Sequence, residues 1–356
     1  MIRRFWLLTL LLVAITACGG AKPGDEGAHS SPVKLTLMSH DSFAISEDTL
    51  ASFEKAENAE VILLPAGDAG AALNQAILAK EDPLADIFFG VDNTFLGRAL
   101  EAEIFEPYES PVLEMVPESL HLDPTYTLLP VDFGDVCLNY DIAWFELAGI
   151  SPPKSLTDLI HPDYFELLVA ENPATSSPGL AFLLTTIGVF GVDSEYNYLD
   201  FWQDLKENGV LITQGWEDAY YGHFSVSGDG DRPLVVSYAS SPPAEVIFAE
   251  APIDEPPTAT VTAPDTCFRQ VEFVGILQGS GNRALAEKFV DFMLEKQFQE
   301  DIPLNMFVFP ANEQAALPEV FVRWAEIPDE PVVVDPATIA ANRDTWIKTW
   351  TERILR

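Results

Sequence analysis

The sequence predicts an α/β protein with two lobes. At 356 residues the chain allows two domains, each with enough apolar surface for its own core. From Lys34 onward, short apolar strands alternate with helices, which is typical of a largely parallel sheet. A further strand-like run at 132–140 then leads out of this first lobe into a second series of elements.

The first lobe begins with three apolar strands and two helices between them. The strands are predicted at 34–39, 60–64 and 86–91, and the helices at 47–58 and 71–80. Ligands of such sheets collect at the carboxyl ends of the strands. We therefore expect the loops that leave these ends to form one rim, with carboxylates at Asp41, Asp68 and Asp92. Helix capping and turn formation explain each of these residues equally well.

The second lobe contains a predicted helical stretch at 155–168, followed by the segment NPATSSPG at 172–179. Pro178 suits the first turn of a helix that continues through 180–189, which makes Ser177 the expected N-cap. A helix N-terminus beside hydroxyl groups can bind an anion such as phosphate. Ordinary capping accounts for the same residues.

Aromatic residues concentrate in the segment 214–245. Trp216, Tyr220, Tyr221 and Tyr238 surround a short strand at 234–238, which runs into a turn of small residues at 239–243. Aromatic rings beside hydroxyl groups can stack on a flat ligand and bind its polar edge. The alternative is a half-buried strand with aromatic residues in the core.

The C-terminal part returns through a strand at 266–277. The Gly279-Ser280-Gly281 segment that follows resembles a dinucleotide fingerprint, but its late position indicates a turn and a helix start. The chain closes with an amphipathic helix at 336–356, capped by Asp335. Its apolar stripe contains Ile339, Trp346, Ile347, Trp350 and Ile354.

The N-terminus predicts export and a lipid anchor. Arg3 and Arg4 precede a short apolar run, and the segment ending at Cys18 resembles the bacterial lipobox. The apolar run is shorter than the roughly 20 residues that span a bilayer. We expect a signal peptide at 1–17, a lipidated Cys18, and a flexible tether at 18–33 that holds the protein outside the cytoplasmic membrane.

The net charge and the absence of catalytic motifs exclude several classes of function. The formal net charge is −37, from 56 acidic and 19 basic residues, so nucleic acid and anionic lipid are poor partners and cationic ligands are favoured. The sequence has no H-E-x-x-H, C-x-x-C, G-x-S-x-G or P-loop motif. Together with the export signal, the tether and the two-lobed fold, these features indicate a binding protein that serves an importer, with neither cofactor nor metal. We expect it to be a monomer.

Two cysteines remain after the lipidated one. Cys137 and Cys267 each lie in a strand-like run of a protein expected in an oxidising compartment. A disulfide and two buried thiols both fit this pattern.

A set of motifs runs through nearly the whole chain after the tether. It consists of HDSF (40–43), DIFFGVDN (86–93), VDFGDVCLNYD (131–141), NPATSSPGLAFLL (172–184), TQGWEDAY (213–220), VVSYASSP (235–242), QVEF (270–273), FQEDIPLNMFVFP (298–310) and an Ala-x-x-Arg-x-x-Trp pattern at 340–346. In order and spacing, this set resembles the periplasmic thiamine-binding proteins of ABC importers. These are type II solute-binding proteins related to the ferric-binding family.

The resemblance implies a two-lobed periplasmic-binding-protein fold of type II, with hinge strands between the lobes. Lobe 1 would comprise 34–133 with 270–356, and lobe 2 would comprise 134–269. The hinge strands would bring Cys137 and Cys267 near each other.

The resemblance also implies a ligand site. Trp216, Tyr238 and Phe307 match aromatic walls, and Asp68, Ser176 and Ser177 match polar groups on the phosphate side. The remaining candidate ligand-binding residues are Asp41, Ser42, Ala69, Asp92, Asn93 and Tyr220. His40 and Ala244 stand where tyrosines are common, and Ala69 replaces a glycine, which leaves the phosphorylation state of the ligand open.

The implied function is capture of thiamine or a thiamine phosphate for delivery to an ABC permease. A fixed positive charge against an indole or phenol face gains about 0.5–2 kcal/mol per good contact. One alternative is a ferric-ion-binding protein, because Tyr220 and Tyr221 resemble the tyrosine pair of that family. An extracellular phosphate-ester enzyme is the other alternative, although no nucleophile and base pair is readable.

Overall fold

A computed structural model describes residues 31–67, 69–226 and 230–356. The predicted signal peptide, Cys18, most of the tether and Asp68 lie outside the described residues. The strands are β1 (Val33–Ser39), β2 (Ala59–Pro65), β3 (Ile87–Asp92), β4 (Phe105–Glu106), β5 (Leu129–Asp141), β6 (Leu168–Glu171), β7 (Leu211–Thr213), β8 (Leu234–Tyr238), β9 (Thr258–Val261), β10 (Phe268–Leu277) and β11 (Phe309–Pro310).

Helices pack around the strands. They are α1 (Glu47–Glu57), α2 (Ala69–Leu78), α3 (Leu96–Glu101), α4 (Ile142–Ala148), α5 (Ser177–Phe190), α6 (Tyr198–Glu207), α7 (Ser241–Phe248), α8 (Arg283–Leu294), α9 (Lys296–Asn305), α10 (Glu319–Trp324) and α11 (Pro336–Trp350). Wider π-type turns occupy Asp218–His223 and Thr351–Leu355. Among the described residues, no helix combines the length and apolarity needed to cross a membrane.

One continuous sheet connects the two halves of the protein. Its main order is β2-β1-β3-β10-β5-β8-β6-β7. As predicted, β1 lies parallel to both β2 and β3. β10 then joins antiparallel to β3 and to β5, and β5 joins antiparallel to β8. The parallel part of the sheet is therefore followed by antiparallel strands at its centre.

β5 and β10 each pass from one hydrophobic cluster to another. The first cluster contains Leu129 and Val131 from β5, together with the apolar side chains of β10 from Val271 to Leu277. The second cluster contains Val136 and Leu138 from the other half of β5, together with Phe268 at the start of β10. These two strands therefore connect two separately packed cores.

A disulfide joins β5 to the residue that precedes β10. Cys137 and Cys267 are bonded, with their Cα atoms 4.4 Å apart, and both are buried beside Ala239. The bond closes a sequence separation of 130 residues. In the chain-entropy description, closing a loop of this length raises the free energy of the unfolded chain by about 5 kcal/mol.

One predicted element of the second half is wrong, and another is right only in part. The predicted helix at 155–168 is a pair of 3₁₀ turns, Leu156–Ile160 and Pro162–Tyr164, which lead into β6. Pro162 has no N–H to continue a helix, and the apolar run that follows pairs with β7 and β8. Of the predicted turn at 239–243, Ala239 and Ser240 do form a turn, whereas the residues from Ser241 begin α7, because a helix tolerates proline in its first turn.

The helix starts also differ in detail. Ser176, not Ser177, is the N-cap of α5, and its Oγ accepts a hydrogen bond from the Gly179 N–H at 3.3 Å. On α2, Leu73 is buried whereas Leu78 is 88 % exposed. α2 begins at Ala69 and ends at Leu78, so its last side chain points away from the sheet.

The closing helix α11 packs as its pattern predicts. The Asp335 carboxylate caps it by accepting from the Thr338 N–H at 2.9 Å. Ile339, Trp346, Trp350 and Ile354 are buried in the second cluster, although the predicted lobe boundaries place this helix in lobe 1. Arg343 on the same helix stacks over Phe95, near the first cluster. The helix therefore contacts both halves of the protein.

Candidate functional site

Two of the loops at the carboxyl ends of the parallel strands are joined by Asp41. Its N–H donates to the Gly67 carbonyl at 3.0 Å, and its Oδ1 accepts from the Gly67 N–H at 2.8 Å. Ser42 beside it is exposed, and buried Ala69 begins α2. Asp41 therefore holds the β1 and β2 loops in a fixed relation.

Asp92 and Asn93 are tied into the sheet rather than exposed on a rim. Asp92 is 1 % exposed and accepts from the N–H and hydroxyl of Thr94 at 2.7 and 2.5 Å. Its second oxygen accepts from Gln270 Nε2 at 2.9 Å. The Asn93 side chain donates to the Arg269 carbonyl and accepts from the Val271 N–H. Both residues connect β3 to β10.

The contact with Gln270 continues to Tyr238. The Tyr238 hydroxyl donates to Gln270 Oε1 at 3.1 Å, so a hydrogen-bond chain runs from Asp92 through Gln270 to the end of β8. Gly134 leaves room for the phenol ring, since an added Cβ there would lie 3.1 Å from Tyr238 Cδ1. Asp92 therefore positions an aromatic residue of the predicted ligand wall.

Trp216 is held by a hydrogen bond and a stacked ring. Its Nε1 donates to Ser237 Oγ at 2.9 Å, and its ring stacks on Tyr220 with centroids 5.0 Å apart. Buried Tyr220 donates from its hydroxyl to Glu245 at 2.7 Å. Trp216 is only half-buried, which leaves part of the indole available to a ligand.

Phe307 forms a separate aromatic group. Its backbone has a φ of 56°, a left-handed conformation that is uncommon outside glycine. Its ring packs on Phe248 with centroids 5.0 Å apart, and its carbonyl accepts from Ser240 Oγ. These contacts hold the strained residue at the start of the segment that contains β11.

A cavity of about 370 Å³ lies between α2, α3 and the start of α5. Its described lining residues are Gly70, Ala71, Asn74, Phe95, Arg98, Pro173, Ala174, Thr175, Ser176, Ser177 and Arg343. The structure thus brings the predicted Ser176 and Ser177 together in one cavity. Among the described residues, Trp216, Tyr238 and Phe307 are not in its lining.

Hydrogen bonds connect the hydroxyl wall of this cavity to the Trp216 segment. The Thr175 hydroxyl donates to the Gln214 carbonyl at 2.6 Å, and the Asn172 N–H donates to the Thr213 carbonyl at 2.9 Å. The wall and the indole therefore belong to one hydrogen-bonded loop system.

Arg98 and Arg343 were not among the predicted site residues. Arg98 comes from α3 and donates to Asn74, while Arg343 comes from α11 near the end of the chain. No local spacing connects two residues so far apart. The only sequence signal was the place of Arg343 in the Ala-x-x-Arg-x-x-Trp pattern.

A pair of carboxyl groups is buried where β5 and β10 are paired. Asp132 and Glu272 are cross-strand partners, and His40 Nε2 lies 3.2 Å from Glu272. Burial, the charge of Glu272 and a hydrogen bond to it raise the pKa of Asp132 well above its usual value. Burial alone would raise the pKa of Glu272, but His40 and the proton of Asp132 together lower it. Of the two carboxyl groups, Asp132 is therefore the one whose surroundings favour the protonated form, and Glu272 the one whose surroundings favour the ionised form.

The family described as bacterial extracellular solute-binding proteins matches residues 82–326, which is more than half of the chain. The chain belongs to this family. It is 32 % identical to the thiamine-binding periplasmic protein of Salmonella typhimurium, over 92 % of this chain and 95 % of that protein. It is 30 % identical to the thiamine-binding periplasmic protein of Escherichia coli, over 90 % of this chain and 94 % of that protein.

Solved structures agree with this assignment. A periplasmic thiamin-binding protein has a TM-score of 0.78 at 29 % identity, covering 93 % of this chain and 98 % of its own. A ferric-binding protein from Campylobacter jejuni has a TM-score of 0.72 at 17 % identity, covering 90 % and 99 %, which supports the fold alone. The predicted type II fold and the resemblance to periplasmic thiamine-binding proteins are confirmed.

The family assignment determines the kind of site. A solute-binding protein holds a transported ligand rather than a cofactor, and relatives of this chain are periplasmic. Among the described residues, no group of three or more His, Cys, Asp and Glu side chains could hold a metal ion.

The buried pair of carboxyl groups predicts a pH-dependent stability difference between the wild type and Asp132→Asn. Asp132 has a higher pKa folded than unfolded, so its contribution to stability is lost as the pH rises above the unfolded value near 3.8. Asparagine does not ionise there, so the variant should become more stable relative to the wild type as the pH rises. Urea unfolding from pH 4 to pH 8 measures the difference.

Asp254→Asn, at an exposed position, is the matched control and should show no such trend. An Asp132→Asn difference that is independent of pH would contradict the assignment of a protonated Asp132.

Proposed function

We propose that this protein captures thiamine or a thiamine phosphate between its two lobes and delivers it to an ABC import permease. The observation that carries the proposal is the half-buried Trp216, stacked on Tyr220 and linked to a hydroxyl-lined cavity. A flat cation with a phosphorylated tail needs both features. The thiamine-binding proteins that resemble this chain match it over nearly their whole length.

The charge and the flat rings of thiamine are complementary to the aromatic residues Trp216 and Tyr238. Its thiazolium ring carries a fixed positive charge, and an indole or phenol face attracts such a charge by about 0.5–2 kcal/mol per contact. The net charge of −37 raises the local concentration of a cation around the protein. Asp92 is already hydrogen-bonded within the sheet, so its role in this proposal is to position Tyr238 through Gln270.

The cleft between the two lobes would close by bending of the two strands that the lobes share. We propose lobe 1 at 34–133 with 270–356 and lobe 2 at 134–269, with β5 and β10 as the hinge strands. A change in backbone angles along these strands would move one core relative to the other and enclose the ligand. A closed cleft removes most of the ligand surface from water, which favours sub-micromolar affinity.

The contacts of the tyrosine pair argue against iron as the ligand. The Tyr220 hydroxyl is bonded to Glu245, and burial together with the charges of Glu245 and Glu217 raises the pKa of Tyr221. Ferric ion needs tyrosinate, which these surroundings disfavour. An esterase activity is also disfavoured, because Ser176 caps a helix and the described lining of the cavity includes no histidine.

The lipid anchor is part of the same proposal. Cys18→Ser removes the acylated thiol, so the variant should lose membrane association and processing of the precursor. Fractionation of cells that express each form measures both effects. Wild-type protein that stays in the soluble fraction, or a variant indistinguishable from it, would contradict the anchor.

Replacement of the indole tests the ligand wall. Trp216→Ala should weaken thiamine binding by about 2 kcal/mol or more, because it removes ring area and the contact with the cation. Tyr238→Phe should weaken thiamine binding less than Trp216→Ala does, because the ring is kept and only the hydrogen bond to Gln270 is lost. Titration calorimetry measures the binding of each variant.

Trp144→Ala is the matched control, since Trp144 lies in α4 and packs on Phe145 in the second cluster. It should bind thiamine like the wild type. No heat and no thermal stabilisation of the wild type with thiamine, its monophosphate or its diphosphate would contradict the proposed function. A visible tyrosinate-to-iron band on addition of ferric salt would then support the iron alternative.

A further inference from the structure

The 370 Å³ cavity has an unusual charge for this protein. The chain has 56 acidic and only 19 basic residues, yet two arginines and no carboxylate occur among the described residues that line the cavity. Most surface regions of such a chain repel anions. This cavity is therefore a local exception that attracts them.

Arg343 is held in a fixed orientation by stacking. Its guanidinium carbon lies 4.3 Å from the centre of the Phe95 ring, and its side chain is 14 % exposed. One nitrogen pairs with Asp344 at 3.1 Å, whereas Nε has no hydrogen-bond partner among the described residues. The Nε is itself buried, so the stacked guanidinium acts on an anion in the cavity through its charge and its remaining N–H groups.

Donor groups surround the rest of the cavity. Arg98 stands on the α3 wall, where Asn74 orients it. On the opposite wall, the Ser177 hydroxyl has no partner among the described residues. The first turns of α2 and α5 also line the cavity, and each helix N-terminus carries about half a positive charge.

The positive charge of the cavity favours one phosphorylation state of the ligand over the others. Two guanidinium groups and two helix ends supply about three positive charges, and the exposed Asp344 carboxylate, which pairs with Arg343, offsets part of them. A single phosphate carries about −1.5 to −2 and leaves part of this charge unneutralised, and an unphosphorylated hydroxyl leaves all of it. A second phosphate adds further negative charge, and the cavity volume, equal to that of about a dozen water molecules, has room for it.

We propose that Arg98 and Arg343 make this cavity selective for the diphosphate ester of the transported ligand over its monophosphate and its unphosphorylated form. This inference rests on the proposed function, because the ligand must first be of the thiamine class. Trp216 and Tyr238 would bind the ring system of the ligand. Arg98 and Arg343 would determine which phosphorylation state of the ligand binds most tightly.

Titration calorimetry with thiamine, thiamine monophosphate and thiamine diphosphate tests the selectivity. The wild type should bind the diphosphate about tenfold more tightly than thiamine, the effect of about one charge-assisted hydrogen bond. Arg98→Gln should weaken diphosphate binding about tenfold and change thiamine binding by less than about twofold. Arg98→Lys keeps the charge and should retain more of the diphosphate affinity than Arg98→Gln.

Arg353→Gln is the matched control, because Arg353 pairs with Asp200 away from the cavity. It should leave all three affinities unchanged. Arg98 is exposed, so its replacement should not unfold the protein, and Arg343→Gln provides a second variant with the same expected selectivity loss.

The outcomes separate the two proposals. If the wild type binds none of the three compounds, the proposed function is wrong and this inference fails with it. If the wild type binds all three equally, or if Arg98→Gln weakens all three by the same factor, the ligand assignment stands and the selectivity is overturned.

Discussion

The antiparallel pairing of β5 with β10 is the constraint on which the rest of this structure depends. Each strand contributes apolar side chains to two separate cores, so neither core is complete without the other strand. The carboxyl pair of Asp132 with Glu272 lies on these same two strands, and the Cys137–Cys267 disulfide joins β5 to the residue before β10. A covalent bond and a buried pair of carboxyl groups therefore both lie at the connection between the cores.

The candidate site follows from this connection. β3 and β8 pair with β10 and β5 on opposite sides, which allows Asp92 to reach Tyr238 through Gln270. The loop before α5 lies beside the Trp216 segment because β6 and β7 are parallel neighbours. Aromatic, hydroxyl and guanidinium groups thus come from different elements, and the sheet determines their relative positions.

Local patterns predicted much of this arrangement. The parallel strands of the first half, the helix start near Ser176, the Asp335 cap and the aromatic segment around Trp216 all depend on residues close in sequence. The prediction at 155–168 was wrong because an apolar run fits a buried strand as well as a helix. The burial of Asp92 and the meeting of Arg98 with Arg343 depend on contacts between distant segments, which spacing does not encode.

The most direct test of the ligand assignment is mass spectrometry of the small molecules that purified protein releases when it is denatured. A periplasmic binding protein with a closed cleft keeps its ligand through purification when the affinity is high. The account predicts thiamine or a thiamine phosphate in near-stoichiometric amount. Ligand of another chemical class, or ferric iron at one ion per chain, would contradict it.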